Sequence, residues 1–195
     1  MNFQRICVFC GSNPGISSVY REAAVALGQV LVKRGIDLVY GGGNIGLMGF
    51  LADAVLAEGG RAIGVIPESL MAQEVGHQGL TELRIVQSMH ERKALMSDLS
   101  DGFVAMPGGF GTFEEFCEIV TWSQLGIHSK PCGLLNVDGY YDPLLNLFDH
   151  AVRDGFLREE NRGLVLEDRD PERLLDRMAR FRAAPVAKWI GRDER

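Results

Sequence analysis

Gly102-Phe103-Val104-Ala105-Met106-Pro107-Gly108-Gly109-Phe110-Gly111-Thr112-Phe113-Glu114-Glu115 runs from an apolar stretch, through three glycines, into a helical pattern. The apolar residues read as a buried strand and the glycines as a tight turn, so strand, turn and helix follow in the order of a βα unit. The glycines let the backbone approach a bound group closely. Free N–H groups and the helix dipole favour an anion at such a turn, and phosphate is the usual one. Thr112 offers a hydroxyl at the expected helix start, and Glu115 a carboxylate in the expected first turn. Thr112-x-x-Glu115 is also a capping box, which needs no ligand. The Pro-Gly-Gly-x-Gly run ahead of it favours a ligand over a cap alone.

The same alternation recurs along the chain. Apolar runs predict strands at 5–10, 36–40, 61–66, 83–86, 102–106 and 131–136, with a weaker one at 163–166. Helical periodicity predicts helices at 17–34, 46–58, 89–99, 112–125, 142–154 and 171–182. Ala62-Ile63-Gly64-Val65-Ile66 is continuously apolar, the mark of a parallel strand covered on both faces. The order implies an α/β fold, a Rossmann-like doubly wound parallel sheet in a single domain over 1–183, with a tail at 184–195. Ligands of such sheets bind outside the carboxyl ends of the strands. Gly11-Ser12-Asn13, Gly41 to Gly46, Pro67-Glu68-Ser69 and Pro107 to Thr112 all fall there.

Composition narrows the function. The 195 residues are 46% hydrophobic and 24% charged, ordinary for a soluble globular domain. A net charge of −6 argues against general nucleic-acid binding. No apolar run is long enough to span a bilayer, so no membrane role is expected. The first residues lead straight into a strand, so no signal peptide is expected and the compartment is taken as cytoplasmic. Cys7 and Cys10 form a C-x-x-C, but residues three apart on a strand point to opposite faces. With Cys117 and Cys132 they read as buried free thiols. His77, His90, His128 and His150 show no ligand spacing, so no metal site is expected.

Other constellations are less decided. Gly41-x-Gly43-x-x-Gly46 matches the dinucleotide fingerprint, and Glu68 ends the next strand, where a ribose-binding acid would sit. The fingerprint normally follows the first strand, however, and this one follows the second. Phosphate or nucleotide contact is favoured there over NAD, with a tight turn as the plain alternative. Met89-His90-Glu91-Arg92-Lys93 opens a helix with two cations against the dipole. Either an anionic ligand or pairing with Glu91 or a neighbouring acid accounts for them. Phe113, Phe116, Cys117 and Val120 form the expected core face of the helix after Thr112. Glu114, Glu115 and Glu118 lie off that face, and periodicity does not choose among them. Of Lys33, Lys93, Lys130 and Lys188, none has an evident pyridoxal setting.

With these residues in view, the chain resembles the LONELY GUY family, the cytokinin riboside 5′-monophosphate phosphoribohydrolases. Pro107-Gly108-Gly109-x-Gly111-Thr112-x-x-Glu115 is similar to the family signature. So are Gly41-Gly42-Gly43 with Gly46-Leu47-Met48-Gly49, and Met89 to Lys93. Thr121 to His128 and Gly133 to Tyr141 extend the likeness, which runs from about Arg5 to Phe181. The resemblance implies hydrolysis of the N-glycosidic bond of a nucleoside 5′-monophosphate, AMP or an N6-substituted AMP. It implies no cofactor, and a homodimer to which Trp122, Leu125 and Ile127 could contribute, unless they are core. It makes Arg92 and Glu115 the catalytic pair. Gly109, Gly111 and Thr112 would hold the phosphate, and Glu74, Lys93 and Thr121 would line the substrate site. Members are often labelled lysine decarboxylases, a label these residues do not support. A non-catalytic nucleotide carrier and an NAD-linked oxidoreductase remain alternatives on the same fold.

Overall fold

Seven parallel strands lie in the order β4-β3-β2-β1-β5-β6-β7 in the computed structural model, which describes residues 2–71 and 76–182. They are β1 (Arg5–Phe9), β2 (Asp37–Tyr40), β3 (Ala62–Pro67), β4 (Glu82–Val86), β5 (Gly102–Ala105), β6 (Cys132–Leu135) and β7 (Val165–Asp168). The helices are α1 (Ser18–Lys33), α2 (Gly46–Ala57), α3 (Met89–Leu99), α4 (Phe110–Gln124), α5 (Asp142–Arg153), α6 (Glu159–Arg162) and α7 (Pro171–Arg180). The single α/β domain expected from the alternation is therefore present. The stretch 184–195, expected to be a tail, lies outside the described residues, as does Glu74.

Strand alternation divides the core between the two faces of the sheet. Ile6, Val8, Leu38, Tyr40 and Val104 pack with Leu27 and Leu31 of α1 and Leu51 and Val55 of α2. Cys7, Phe9, Val39, Phe103 and Ala105 pack with Met96 of α3, and with Phe116 and Ile119 of α4. Each such side chain taken out of water contributes about 1.5–3 kcal/mol. This double coverage is why the central strands read as continuous apolar runs.

Three elements differ from the sequence reading. α4 begins at Phe110, two residues before Thr112, with Gly109 as its N-cap. The last strand lies at Val165–Asp168 rather than 163–166, because Gly163 caps the short helix α6, which periodicity had not marked. The buried face of α4 is Thr112, Phe116, Ile119 and Ser123, so Cys117 is exposed rather than core. Phe113, Val120 and Trp122 pack partly buried at its flanks. Cys7, Cys10 and Cys132 are buried, Cys7 and Cys10 on opposite faces as expected.

Strand order reverses between β1 and β5, which pair directly in register Ile6 with Gly102 through Phe9 with Ala105. Neighbouring loops leave those two carboxyl ends in opposite directions and open a crevice, the position at which open α/β sheets take ligands.

Candidate active site at the β1–β5 switch point

A cavity of about 450 Å³ lies in that crevice, within the range of small-molecule sites. Cys10 to Gly15 after β1 and Pro107 to Gly111 after β5 form two of its walls. Thr112 and Glu115 of α4, Met89 and Arg92 of α3, and Tyr140 complete the polar end. Leu47 and Met48 of α2 close it on the apolar side.

The start of α4 faces this space without a side-chain cap. Thr112 is the third helical residue, so it cannot serve as the N-cap, and Glu115 falls in the second turn. The expected capping box does not form. Among the described residues, no acceptor pairs with the N–H groups of Gly109, Phe110, Gly111 or Thr112, and the first bonded amide is Phe113, to the Gly109 carbonyl. Those four donors are what an anion at a helix N-terminus requires. A Cβ built on Gly109 or Gly111 would meet nothing within 4 Å, so both glycines border open space. Gly108 is different: its Cβ would fall 2.2 Å from Thr112 Oγ1.

The side-chain cap sits instead on α3, at Ser88. Ser88 Oγ accepts the Glu91 N–H at 3.1 Å, and Glu91 Oε2 accepts the Gln87 N–H at 2.8 Å. Ser88-x-x-Glu91 has the spacing of a capping box, legible in the sequence, but Glu91 takes the amide one residue before the cap. With Glu91 so engaged, Arg92 turns inward and is only 4% exposed. Its Nη2 donates to the Gly41 carbonyl oxygen at 3.0 Å. A Cβ on residue 41 would lie 2.1 Å from that nitrogen, so glycine there makes room for the guanidinium.

The Gly41–Gly46 loop therefore holds Arg92 and does not itself line the cavity, where phosphate or nucleotide contact was expected of it. Gly42 accepts the N–H of His77, and Gly43 bridges to Gly76. Glu68 opens a 3-10 turn and does not line the cavity, although Leu70 does.

Arg92, Glu115, Gly109, Gly111 and Thr112 thus meet at one cavity; Lys93 and Thr121 do not line it. Lys93 Nζ lies 2.5 Å from Glu114 and 2.9 Å from Glu118 on α4. Burial works against its charge, but those two carboxylates prevail and raise its pKa above 10.5. Thr121 donates its hydroxyl to the Cys117 carbonyl on the exposed side of α4. Tyr20 and Tyr140 line the cavity but were not singled out from sequence, because nothing local marks a tyrosine as facing a ligand.

The cysteines beside the site are not nucleophiles. Burial pushes the Cys10 thiol well above its ordinary range, and the Glu115 carboxylate pushes it further. Cys7 is raised by burial and by Glu115, with Arg92 pulling the other way. Both stay protonated at neutral pH.

A family profile described as "Possible lysine decarboxylase" matches residues 48–178. No lysine lines the cavity among the described residues: Lys33 pairs with Glu172, and Lys130 donates to the Ser97 carbonyl. The chain is 52% identical to the probable cytokinin riboside 5′-monophosphate phosphoribohydrolase LOGL1 of Oryza sativa subsp. japonica, over 96% of this chain and 86% of that one. It is 57% identical to the cytokinin riboside 5′-monophosphate phosphoribohydrolase LOG of the same plant, over 84% and 68%. The molybdenum cofactor binding protein of the phototrophic bacterium Rippkaea orientalis superposes with a TM-score of 0.69, over 92% of this chain and 97% of that one. At 22% identity this last likeness shows the shared fold alone. With a profile matched over most of its length and relatives above half identity, the chain belongs to the LONELY GUY family of cytokinin riboside 5′-monophosphate phosphoribohydrolases.

Proposed function

We propose that the protein hydrolyses the N-glycosidic bond of cytokinin riboside 5′-monophosphates, and of AMP, releasing the base and ribose 5-phosphate. The observation that carries this reading is the meeting of Arg92, Glu115 and the uncapped N-terminus of α4 at one cavity. The 5′-phosphate takes the N–H groups of Gly109, Gly111 and Thr112, which fixes the ribose relative to Glu115. Glycosidic cleavage develops positive charge on the sugar. The Glu115 carboxylate stabilises that charge and orients or deprotonates the attacking water. A guanidinium is a poor proton donor, so Arg92 acts as an electrostatic and positioning group rather than as the acid. Its tether to Gly41 supports that role.

The protein works as a cytoplasmic homodimer in this reading. Leu125 and Ile127, 38% and 65% exposed beyond the end of α4, supply apolar surface for the contact. No described helix is long and apolar enough to cross a membrane. Lys93 serves by joining α3 to α4 through Glu114 and Glu118, close to the two catalytic residues in sequence.

The test is chromatography of products after incubation with AMP and with N6-isopentenyl-AMP, beside Glu115→Gln. Base and ribose 5-phosphate from the wild type alone are expected. Intact nucleotide in every tube, with folded protein, would leave a nucleotide-binding carrier as the function.

A further inference from the structure

Three consecutive carbonyl oxygens leading into α4 are held from two sides, by the loop after β1 and by the paired tyrosines before α5. Met106 accepts from the Tyr141 hydroxyl at 2.6 Å, and Pro107 accepts the Gly11 N–H at 3.0 Å. Gly108 accepts from the Tyr140 hydroxyl at 2.5 Å. The two tyrosines adjoin at the start of α5, where Tyr141 is the N-cap residue. Their backbone is anchored in turn. Asn136, 1% exposed, takes the Tyr141 N–H on Oδ1 at 2.7 Å, and its own N–H bonds the Asp168 carbonyl of β7 at 2.8 Å. The Tyr140 ring packs edge-on to Tyr20 and Tyr141, with centroids 6.0 and 5.1 Å away, and borders the cavity.

The two hydroxyl bonds have different consequences. In a trans peptide the carbonyl and the following N–H point to opposite sides. The described residues contain no cis bond. The bond from Tyr140 to Gly108 therefore directs the Gly109 N–H away from Tyr140. The bond from Tyr141 to Met106 directs no N–H, because the next residue is Pro107. The Gly108–Gly109 peptide also has no Cβ on either side to resist a flip. Flipped, it would offer a carbonyl oxygen where a donor is needed.

We propose that Tyr140 is a positioning residue for the anion cradle: its hydroxyl holds the Gly108–Gly109 peptide so that the Gly109 N–H reaches the 5′-phosphate beside those of Phe110, Gly111 and Thr112. The inference rests on the nucleoside monophosphate reading above. The hydroxyl proton is spent on Gly108, so Tyr140 acts through the loop and not on the ligand.

Tyr140→Phe and Tyr141→Phe remove the same atom from neighbouring rings, and only the first should loosen the cradle. Ribose 5-phosphate is titrated into the ¹⁵N-labelled full chain while amide shifts are followed, and KM and kcat are measured with AMP. In the wild type the Gly109 amide proton moves downfield on saturation. Tyr140→Phe weakens ribose 5-phosphate binding and raises the KM for AMP about tenfold, the worth of one charge-assisted hydrogen bond, with a smaller change in kcat. Tyr141→Phe lowers the melting temperature but leaves binding within roughly twofold, since no donor is lost to the ligand. Wild-type affinity in Tyr140→Phe, or equal weakening in both variants, overturns the inference and leaves the phosphate reading standing. A wild type that does not bind ribose 5-phosphate overturns both. Should Tyr140→Phe fail to fold, the wild-type Gly109 amide still decides, because an unmoved resonance at saturation removes the proposed contact.

Discussion

Arg92 Nη2 and the carbonyl oxygen of Gly41 are 3.0 Å apart, joining residues 51 positions distant in the chain. The bond fixes a buried guanidinium at the cavity by the backbone of a strand end, where little can move. Gly41→Ala places a methyl group on the site of that nitrogen. Displacing the guanidinium by an ångström should cost about a hundredfold in kcat/KM. The clash is with the end of a flexible side chain, so the melting temperature should shift by only a few degrees. Steady-state kinetics beside a thermal melt checks this. Near wild-type turnover would mean that the placement of Arg92 is not critical.

Gly46 and Gly35 both have positive φ, +62° and +66°, yet they should respond differently to alanine. At Gly35 a Cβ meets nothing within 4 Å, and the cost is the left-handed conformation alone, about 1 kcal/mol. At Gly46 it would lie 2.2 Å from the Ser12 carbonyl carbon and 2.4 Å from the Asn13 nitrogen, both backbone. The loop after β1 must then shift, and Gly46→Ala should lose about 3 kcal/mol or more. Urea unfolding of the two variants separates them; equal losses would mean that the loop yields freely.

The strands were legible because burial on both faces leaves an uninterrupted apolar signature, as in Ala62 to Ile66. The start of α4 was not. Glycine has poor helix propensity, so a reading by residue type begins the helix at Thr112, whereas the chain coils from Phe110. That two-residue difference removes the supposed cap and turns the free N–H groups into the main feature of the site. Arg92 and Lys93 looked alike in sequence. Their separation into an inward guanidinium and an interhelical ion pair depends on Gly41, Glu114 and Glu118, contacts that no local pattern records. Cys117 fell one residue to the wrong side of the helix because Thr112 and Ser123, both polar, occupy the buried stripe.

Lys93 gives a prediction in pH. Its pKa is raised above 10.5 in the folded chain, because the bonds to Glu114 and Glu118 outweigh its burial. Both folded and unfolded chains carry the charge below that value, so the stabilisation is fully present there. It is lost as pH rises through the raised pKa, when the folded lysine also gives up its proton. Lys93→Met should therefore be less stable than wild type by about 1 kcal/mol at neutral pH, with the gap closing above pH 10.5. Its affinity for ribose 5-phosphate should be nearly unchanged, since Lys93 does not line the cavity. Urea titrations at several pH values, with one binding isotherm, test both statements. A large loss of affinity would return Lys93 to the substrate.

Gly111→Ala should make the protein more stable and a worse catalyst. Gly111 is the second residue of α4, where glycine is the costlier choice for a helix by up to about 1 kcal/mol. A Cβ there would touch nothing within 4 Å, so no packing is lost to offset the gain. The same position borders the cavity, and the methyl group would enter the space in which the phosphate approaches the helix N–H groups. Remote binding energy of that kind aligns the ribose with Glu115, so losing it should lower kcat as well as affinity. The wild type should turn over AMP far faster than adenosine, and Gly111→Ala should narrow that difference by slowing AMP alone. Melting temperature and the two rates, measured on the same preparations, separate the effects. A variant that is stabilised yet keeps the full preference for AMP would show that the phosphate does not lie against the start of α4.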